Sequence, residues 1–408
     1  MIAADWPILI PLVVGHVALF VLSLNLLHST AVPDKLLDVL NLALLGLTLL
    51  ALPIMLTQGH WSTWPQPARG YALVCLATAL LGLPAVTLVR AFRRPPAVVA
   101  ATRTATLDLR QVLGDDRTIG AGKHHQLLRI PGNWSLRIQK VEHELLLPNL
   151  PPALDGLSIV QISDTHFSPC YRRDFFEAIA AEAAGWDADL VVFTGDLLDD
   201  VSTLDWVEPI FAQLRGRLGQ FAILGNHDHR LRPGKARRSL RNAGFIDLEA
   251  RWAELDGCDG ARLGGRIALG GTSEPWGPKL DYAAMPAADF RIVLSHSPDQ
   301  FPRASGQGVD LVLAGHNHGG QIRLPVFGPI LMPSRYSRHF DRGFFRAGDS
   351  VLYVSQGIGG KHPIRFGTHP EITRFTLRSA VPATEAPTLI RPASIHQPHA
   401  VAGSMAQG

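Results

Sequence analysis

Charge is scarce at one end of this 408-residue chain. Of its 38 Lys and Arg and 35 Asp and Glu, residues 1–90 hold only Asp5, Asp34, Lys35, Asp38, Arg69 and Arg90. The rest of the chain carries charge close to the roughly 25% of an ordinary globular domain. Cysteine is also sparse. Cys75, Cys170 and Cys258 are far apart and odd in number, which argues against a disulfide framework or a thiolate zinc site. A net charge of +3 gives no global basic signal for nucleic acid, and no Trp/Tyr-rich basic groove marks a nucleic-acid reader. No internal repeat is visible. A disordered polyelectrolyte is excluded by 47% hydrophobic and 18% charged residues.

What fills residues 1–95 is long apolar sequence. Trp6–Leu27, Val39–Leu56 and Tyr71–Val89 lack charge altogether. At about 1.5 Å rise per residue, each run matches a hydrocarbon core of ~30 Å. The expectation is three transmembrane helices, spanning about 6–27, 36–56 and 71–89. The competing reading is a buried helical core of a soluble domain, but three such runs exceed what one core needs. A cleaved signal peptide fits poorly, because Met-Ile-Ala-Ala-Asp has no basic residue and two more apolar runs follow. Lys35, Arg90, Arg93 and Arg94 lie on one side of such a bundle and Arg69 on the other. That bias favours a multi-pass protein of the inner, cytoplasmic membrane with its C-terminal domain facing the cytoplasm. Trp61 and Trp64 suit an interfacial belt. His16 and Asn25 lie inside the first span and are read as interhelical hydrogen-bond formers.

Residues 96–134 read as a partly ordered linker containing the pair His124 and His125, which is more often solvated than metal-binding. A soluble domain is expected over 135–380, opening on a strand that alternates polar and apolar from Ser135. Residues 381–408, rich in Pro, Ala and Gln, read as a disordered tail.

Five short apolar runs in that domain share one design. Leu157–Ser163 ends in Asp164-Thr-His166 and Asp189–Thr194 in Gly195-Asp196. Phe221–Leu224 ends in Gly225-Asn226-His227-Asp228. Arg291–Leu294 ends in Ser295-His296, and Asp310–Ala314 in Gly315-His316-Asn317-His318. Such runs suit strands covered on both faces. Helical stretches at Asp174–Ala184, with Asp174 as N-cap, at Leu204–Leu214 and at Lys235–Asn242 lie between some of them. Strands alternating with helices argue for an α/β sheet, whose site lies outside the carboxyl ends of the strands. There the runs place Asp164, His166, Asp196, Asn226, His296, His316 and His318. In extended chain, residues i and i+2 point the same way, so each Asp-x-His or His-x-His pair can converge.

Seven N/O donors without a thiolate suit Mn, Fe or Zn. They are too many for one four-coordinate zinc and suit two divalent ions sharing a carboxylate. Two such ions outweigh Asp164 and Asp196, so the surplus attracts a phosphate anion. Metal-activated water would then hydrolyse it.

The ordered set Asp164-x-His166, Gly195-Asp196, Gly225-Asn226-His227-Asp228, His296 and Gly315-His316-x-His318 resembles the calcineurin-like metallophosphoesterase family. Gly315-His-Asn-His-Gly-Gly-Gln321, Leu150-Pro-Pro-Ala-Leu-Asp-Gly156 and Pro363-Ile-Arg-Phe-Gly…Pro370-Glu-Ile are similar to a bacterial branch of membrane-associated phosphodiesterases. Some members of that branch hydrolyse the pyrophosphate of a UDP-diacylglucosamine lipid. The resemblance covers about 135–378 and implies a four-layer αββα sandwich. It also implies roles. Asp164, His166 and His318 hold one ion, Asn226, His296 and His316 the other, and Asp196 bridges. His227 is a non-ligand imidazole near the leaving group, oriented by Asp228.

The function expected is therefore a membrane-anchored, dinuclear metal-dependent phosphoesterase acting on a phosphodiester or pyrophosphate, with a lipid-linked substrate favoured. The alternative is a metal-stabilised, non-catalytic scaffold binding a partner at the membrane; His227-Asp228, which metal binding alone does not need, speaks against it. Asp199 and Asp200 read as caps, His229 as a turn residue, and Arg335, Arg338 and His339 as a solvated basic face. His362 is read as a rim residue.

Overall fold

Val, Ile, Leu and Phe concentrated in five-residue runs fold as strands, because branched and aromatic side chains pack well on a pleated surface. In the computed structural model the described residues are 6–57, 64–93, 96–256, 264–325, 327–336 and 338–380. Trp61, Arg94, Cys258 and the expected tail 381–408 lie outside them.

The strands in chain order begin with β1 (Val99–Asp108), β2 (Arg137–Leu147), β3 (Ser158–Ile162), β4 (Leu190–Thr194), β5 (Gly219–Ile223) and β6 (Ile246–Asp247). Then come β7 (Trp252–Leu255), β8 (Ile267–Thr272), β9 (Phe290–Ser295) and β10 (Leu311–Ala314). A small ribbon, β11 (Arg323–Leu324) and β12 (Gly328–Pro329), precedes β13 (Gly343–Ala347), β14 (Ser350–Val354) and β15 (Glu371–Ser379). One mixed sheet has the order β1-β2-β15-β3-β4-β5-β6 and the other β13-β14-β10-β9-β8-β7. Strands β3, β4 and β5 are mutually parallel, as are β8, β9, β10 and β14. Their carboxyl ends therefore gather at one edge of each sheet.

Three apolar layers hold this together. Phe175, Phe176 and Ile179 of helix Arg173–Ala184 and Val207 and Phe211 of Leu204–Phe211 cover the outer face of the first sheet. Ile159, Val192, Leu269 and Ile292 lie between the sheets. Leu280, Phe301 and Phe340 cover the outer face of the second. Helices thus back the first sheet, and the short helix Phe301–Gly306 with the loops carrying Leu280 and Phe340 backs the second. Asp174, expected as an N-cap, instead sits in the first turn of its helix and pairs with Arg117 at 2.5 Å.

The expected linker is partly sheet. β1 pairs antiparallel with β2 over most of its length, and Ile119 and Leu128 are buried in the core beneath the outer helices. Val-Ala-Ala-Thr-Arg-Thr-Ala-Thr is largely exposed on both faces, so this edge strand carries no apolar alternation to read.

Three helices precede the sheets: α1 (Trp6–His28), α2 (Asp34–Thr57) and α3 (Gln66–Ala91). Within α1 and α3, Ile8–His28 and Gln66–Ala91 are long and apolar enough to cross a membrane, and only 22% and 11% of the apolar windows are buried. The core helix of a soluble domain would be mostly buried. His16 makes the interhelical bonds expected of it, 2.7 Å from Tyr71 Oη and 3.1 Å from the Thr48 carbonyl. Asn25 makes none among the described residues. Its Oδ1 accepts the Met332 backbone N–H at 2.9 Å, tying α1 to the sheet domain. Trp64, expected at an interface, is buried with Leu12, Ala72 and Cys75.

Candidate metal centre

Strands β3, β4 and β10 hand over to turns in which ligand-type residues take an uncommon backbone conformation. Asp164, His166, Asp196, His316 and His318 all have positive φ, between 46° and 70°. That left-handed region costs a non-glycine residue of order 1–3 kcal/mol, and such strain concentrates at functional sites. Glycines make room around it. A Cβ on Gly225 would sit 2.1 Å from Asp196 Oδ1, and one on Gly315 2.4 Å from Asp164 Oδ2.

The seven side chains expected as ligands converge. Donor atoms of Asp164, His166, Asp196 and His318 lie within 4.8 Å of one another, and so do those of Asp196, His296 and His316. Asp196 belongs to both groups. Its Oδ2 is 3.4 Å from His166 Nε2 and its Oδ1 is 3.4 Å from His296 Nε2. Asn226 Oδ1 is 3.0 Å from His296 Nε2, which places the amide with the second group. All are buried except His318, which is nearly so.

Partners behind the rings fix which nitrogen faces the centre. His296 Nδ1 lies 2.8 Å from the Thr194 carbonyl, leaving Nε2 inward. His316 Nε2 lies 2.9 Å from the Pro333 carbonyl, leaving Nδ1. His166 Nδ1 lies 2.9 Å from Asp199 Oδ1. Asp164 accepts the His316 backbone N–H at 3.0 Å and the Ser163 hydroxyl at 2.5 Å. His227 N–H donates to Asp196 Oδ1 at 2.9 Å.

The electrostatics follow from packing charge out of water. Burial disfavours protonated His166 and His296, yet the carboxylates outweigh it, Asp199 and Asp196 for the first and Asp196 for the second. Both are pushed up to about 9. Burial and then the neighbouring imidazole push His316 down to about 3 and His318 well below its usual range. Burial opposes ionisation of Asp196, but His296, His227 and His166 hold it well below the usual carboxylate range. Asp164 is raised by burial.

The donor set fits divalent cations. His166 Nε2 and His318 Nε2 face each other at 3.1 Å. Two bare lone pairs at that distance repel, so a proton on one nitrogen or a shared cation must lie between them. Neutral imidazoles, carboxylates and an amide around a shared Asp are ligands for ions of the Mn, Fe and Zn type.

The expected orienting residue is a different one. Asp228 does not contact the His227 ring. It is fully buried and accepts the backbone N–H groups of Gly225, Leu197 and Leu198 at 2.9–3.1 Å. It thereby clamps the turns after β4 and β5 together, and burial and then the Asp196 charge raise it to about 6. The partner of His227 is Asp199, whose Oδ1 lies 2.5 Å from His227 Nδ1. Asp199 thus joins the metal group through His166 to the free imidazole, and the two imidazoles hold it well below the usual carboxylate range against burial.

Two further residues carried no assigned role in the sequence. Arg365, fully buried, donates from Nη1 to the carbonyls of His318 and Gln356 at 2.9 and 2.7 Å. The Trp276 ring lies 4.7 Å from that of His316, and its Nε1 donates to the Thr30 carbonyl at 3.2 Å. The tip of the α1–α2 hairpin therefore reaches the edge of the centre. Asp200 caps a turn through the Ser202 N–H. His229 turns away to Ser273, and His362 packs against His124.

Comparison with known proteins agrees with this geometry. Residues 157–320 match the model of the calcineurin-like phosphoesterase family. The chain is 34% identical over 249 residues to the uncharacterized metallophosphoesterase YkuE of Bacillus subtilis, covering 59% of this chain and 86% of that one. It is 28% identical over 269 residues to a transmembrane protein with a metallophosphoesterase domain from Danio rerio, covering 59% and 57%. It is 28% identical over 279 residues to the UDP-2,3-diacylglucosamine pyrophosphatase LpxG of Chlamydia trachomatis, covering 55% and 85%. Five strand ends in order, one shared carboxylate and this likeness lead to one conclusion: the chain belongs to the calcineurin-like phosphoesterase family of metal-dependent phosphoric ester hydrolases.

Proposed function

We propose that the protein is a membrane-anchored phosphodiesterase or pyrophosphatase with two divalent cations at its centre. The observation that carries this reading is the pair of donor groups sharing Asp196, with the His227 imidazole beside them. Asp164, His166 and His318 would hold one ion, Asn226, His296 and His316 the other. The ions would supply Lewis-acid stabilisation of a phosphoryl group and an activated water.

The protein's own groups do the rest. Asp199 holds the His227 Nδ1–H, so Nε2 is the ring atom left to exchange a proton with the departing oxygen. His227 is 23% exposed while the ligands are buried, which suits a group that meets substrate from the rim. Asp228 fixes the turn that carries His227. A scaffold without turnover has no use for such a carboxylate-backed, non-ligand imidazole.

We read α1, α2 and α3 as three spans, although the side chains of α2 beyond Ala51 lie outside the described residues. The charge bias around them favours a hydrolase domain on the cytoplasmic side of the inner membrane. An anchored centre meets lipid-linked substrate at high local concentration. The contacts of Thr30 with Trp276 and of Asn25 with Met332 bring the α1–α2 hairpin beside the centre. A lipid-linked phosphodiester or pyrophosphate is therefore favoured over a soluble nucleotide, in keeping with the relative LpxG, a UDP-2,3-diacylglucosamine pyrophosphatase.

The test is hydrolysis of bis-p-nitrophenyl phosphate by the full-length protein with added Mn, Fe or Zn. Asp196→Ala and His227→Ala are expected to lose nearly all turnover; variants matching wild type would remove the site. Lipid extracts compared with and without the gene are expected to show an accumulating phospholipid precursor. An active periplasmic alkaline phosphatase fusion at the C-terminus would reverse the orientation.

A further inference from the structure

Where α3 meets the soluble domain, guanidinium groups crowd around one carboxylate. Asp341, only 2% exposed, pairs through Oδ2 with Arg90 at 2.6 Å and Arg323 at 3.0 Å, and through Oδ1 with Arg93 at 3.0 Å. Arg342 makes no ion pair among the described residues, and its Nη1 donates to Gln356 Oε1 at 2.7 Å. These four arginines line one wall of a cavity of about 640 Å³, between β1, β2 and β15 of the first sheet and β13 and β14 of the second. The only other carboxylate in its walls, Glu371, is already tied to Tyr353 Oη at 2.7 Å and to the Gln356 backbone N–H at 2.9 Å. The walls therefore hold four positive charges against two negative ones.

A partly buried positive excess is unfavourable unless an anion balances it. Burial and then Arg342 lower Arg323 to about 10, against the pull of Asp341. Planar guanidiniums in a fork are matched to phosphate oxygens. The opposite wall offers hydroxyl and amide groups of Thr102, Thr104 and Gln139, suited to the ester or polyol part of a ligand. The volume lies within the roughly 300–1,000 Å³ of small-molecule sites and exceeds what bare phosphate needs. Arg90 is in the last turn of α3 and Arg93 follows it. An arginine at the end of a spanning helix stands at the level of lipid headgroups.

We propose that this cavity is a second binding site, for a phosphate ester at the membrane surface, separate from the metal centre. Its ligand is a phosphate monoester or diester, borne by an anionic lipid headgroup or by a soluble molecule. The site stands whether or not the metal centre is catalytic. It backs onto that centre, because Gln356, which meets Arg342 on the cavity side, accepts Arg365 Nη1 at its carbonyl, and Arg365 also holds the His318 carbonyl.

The experiment is thermal unfolding of the full-length protein in two arms. One arm uses nanodiscs of phosphatidylcholine with and without phosphatidylglycerol. The other uses neutral detergent micelles with and without inorganic phosphate. Wild type is expected to gain about 5 °C or more in at least one arm. Arg323→Gln combined with Arg342→Gln is expected to abolish that gain. Arg342→Gln alone, at a half-buried position without an ion pair among the described residues, is expected to reduce it, and Arg342→Lys to keep most of it. Arg238→Gln, exposed on the remote helix Pro233–Asn242, is expected to keep it in full. A gain with phosphatidylglycerol only assigns a lipid headgroup, and a gain with phosphate assigns a soluble ester. No gain in either arm, or a gain that survives in the double variant and so arises at the metal centre or elsewhere, overturns the proposal.

Discussion

Asp199 and Asp228 sit on neighbouring turns and do different work, and substitution separates them. Asp199 faces two imidazoles; Asp228 faces three backbone N–H groups. Asp199→Asn keeps the volume but loses the charge that orients His227, so kcat is expected to fall about 10²-fold or more at saturating metal. Metal content by mass spectrometry should stay near wild type under those conditions. Asp228→Asn sets an amide against buried donors and is expected to cost about 1–3 kcal/mol of stability, read as a lower Tm. If Asp228→Asn lowered kcat without lowering Tm, the assignment would be reversed. The sequence carried the ligands plainly, because each follows a buried apolar run within a few positions. It could not separate Asp199 from Asp228, since both follow a ligand within three positions and only the packing of two turns decides which one meets the ring. His143 supplies a pH-dependent term far from the metal centre. Its ring lies among Phe344, Tyr353 and Phe375, with Nδ1 2.8 Å from Thr102 Oγ1, and burial pushes it down to about 4. The unfolded imidazole titrates near 6.5. The folded protein therefore binds the proton less well, and stability present above pH 6.5 is lost as pH falls towards 4, by about 3 kcal/mol in all. Melting curves between pH 7.5 and 4.5 should show a smaller acid slope for His143→Phe than for wild type. Equal slopes would refute the assignment.

At the scale of elements, the contact of α1 with α3 depends on one missing side chain. A Cβ on Gly15 would lie 1.8 Å from the Cys75 carbonyl oxygen, so the two backbones touch there, in the way small residues allow in helix pairs within membranes. Gly15→Ala is expected to part the helices and destabilise the protein by about 1–3 kcal/mol. Cys75, now buried, should become reactive to maleimide. Gly46→Ala on α2, where a Cβ meets nothing within 4 Å, should change neither readout. Equal maleimide rates for both variants and wild type would mean that the contact is not needed. Element-scale legibility was uneven for a physical reason. The buried strands β3, β4, β5, β9 and β10 announce themselves by continuous apolar sequence, and the helices covering the first sheet by their apolar stripe. β1 is held by its backbone ladder to β2 rather than by side-chain burial, so it looks like linker. Asn25 was legible as a polar residue in an apolar run, but its partner Met332 lies 307 positions away, beyond any local pattern.

For the molecule as a whole, the sheets and their strained turns serve to hold negative charge out of water. Asp164, Asp196 and Asp228 are almost wholly buried and Asp199 nearly so, and among protein groups chiefly His166 and His296 can be charged against them. Divalent cations that bind this arrangement only in the folded chain stabilise it by mass action, by about 2.7 kcal/mol at a hundredfold excess over Kd. Chelation of the full-length protein is therefore expected to lower Tm by several degrees as well as to abolish hydrolysis. Adding Mn, Fe or Zn should restore both, with the order of recovery naming the preferred ion. Asp196→Ala removes the carboxylate common to both donor groups, so its Tm should no longer respond to chelator or to added metal. Among the described residues the ester-binding cavity near α3 has no metal-type donor cluster, so a Tm gain from anionic lipid should persist in Asp196→Ala. A chelator that left Tm and turnover of the wild type unchanged would mean that these side chains meet for a structural reason alone.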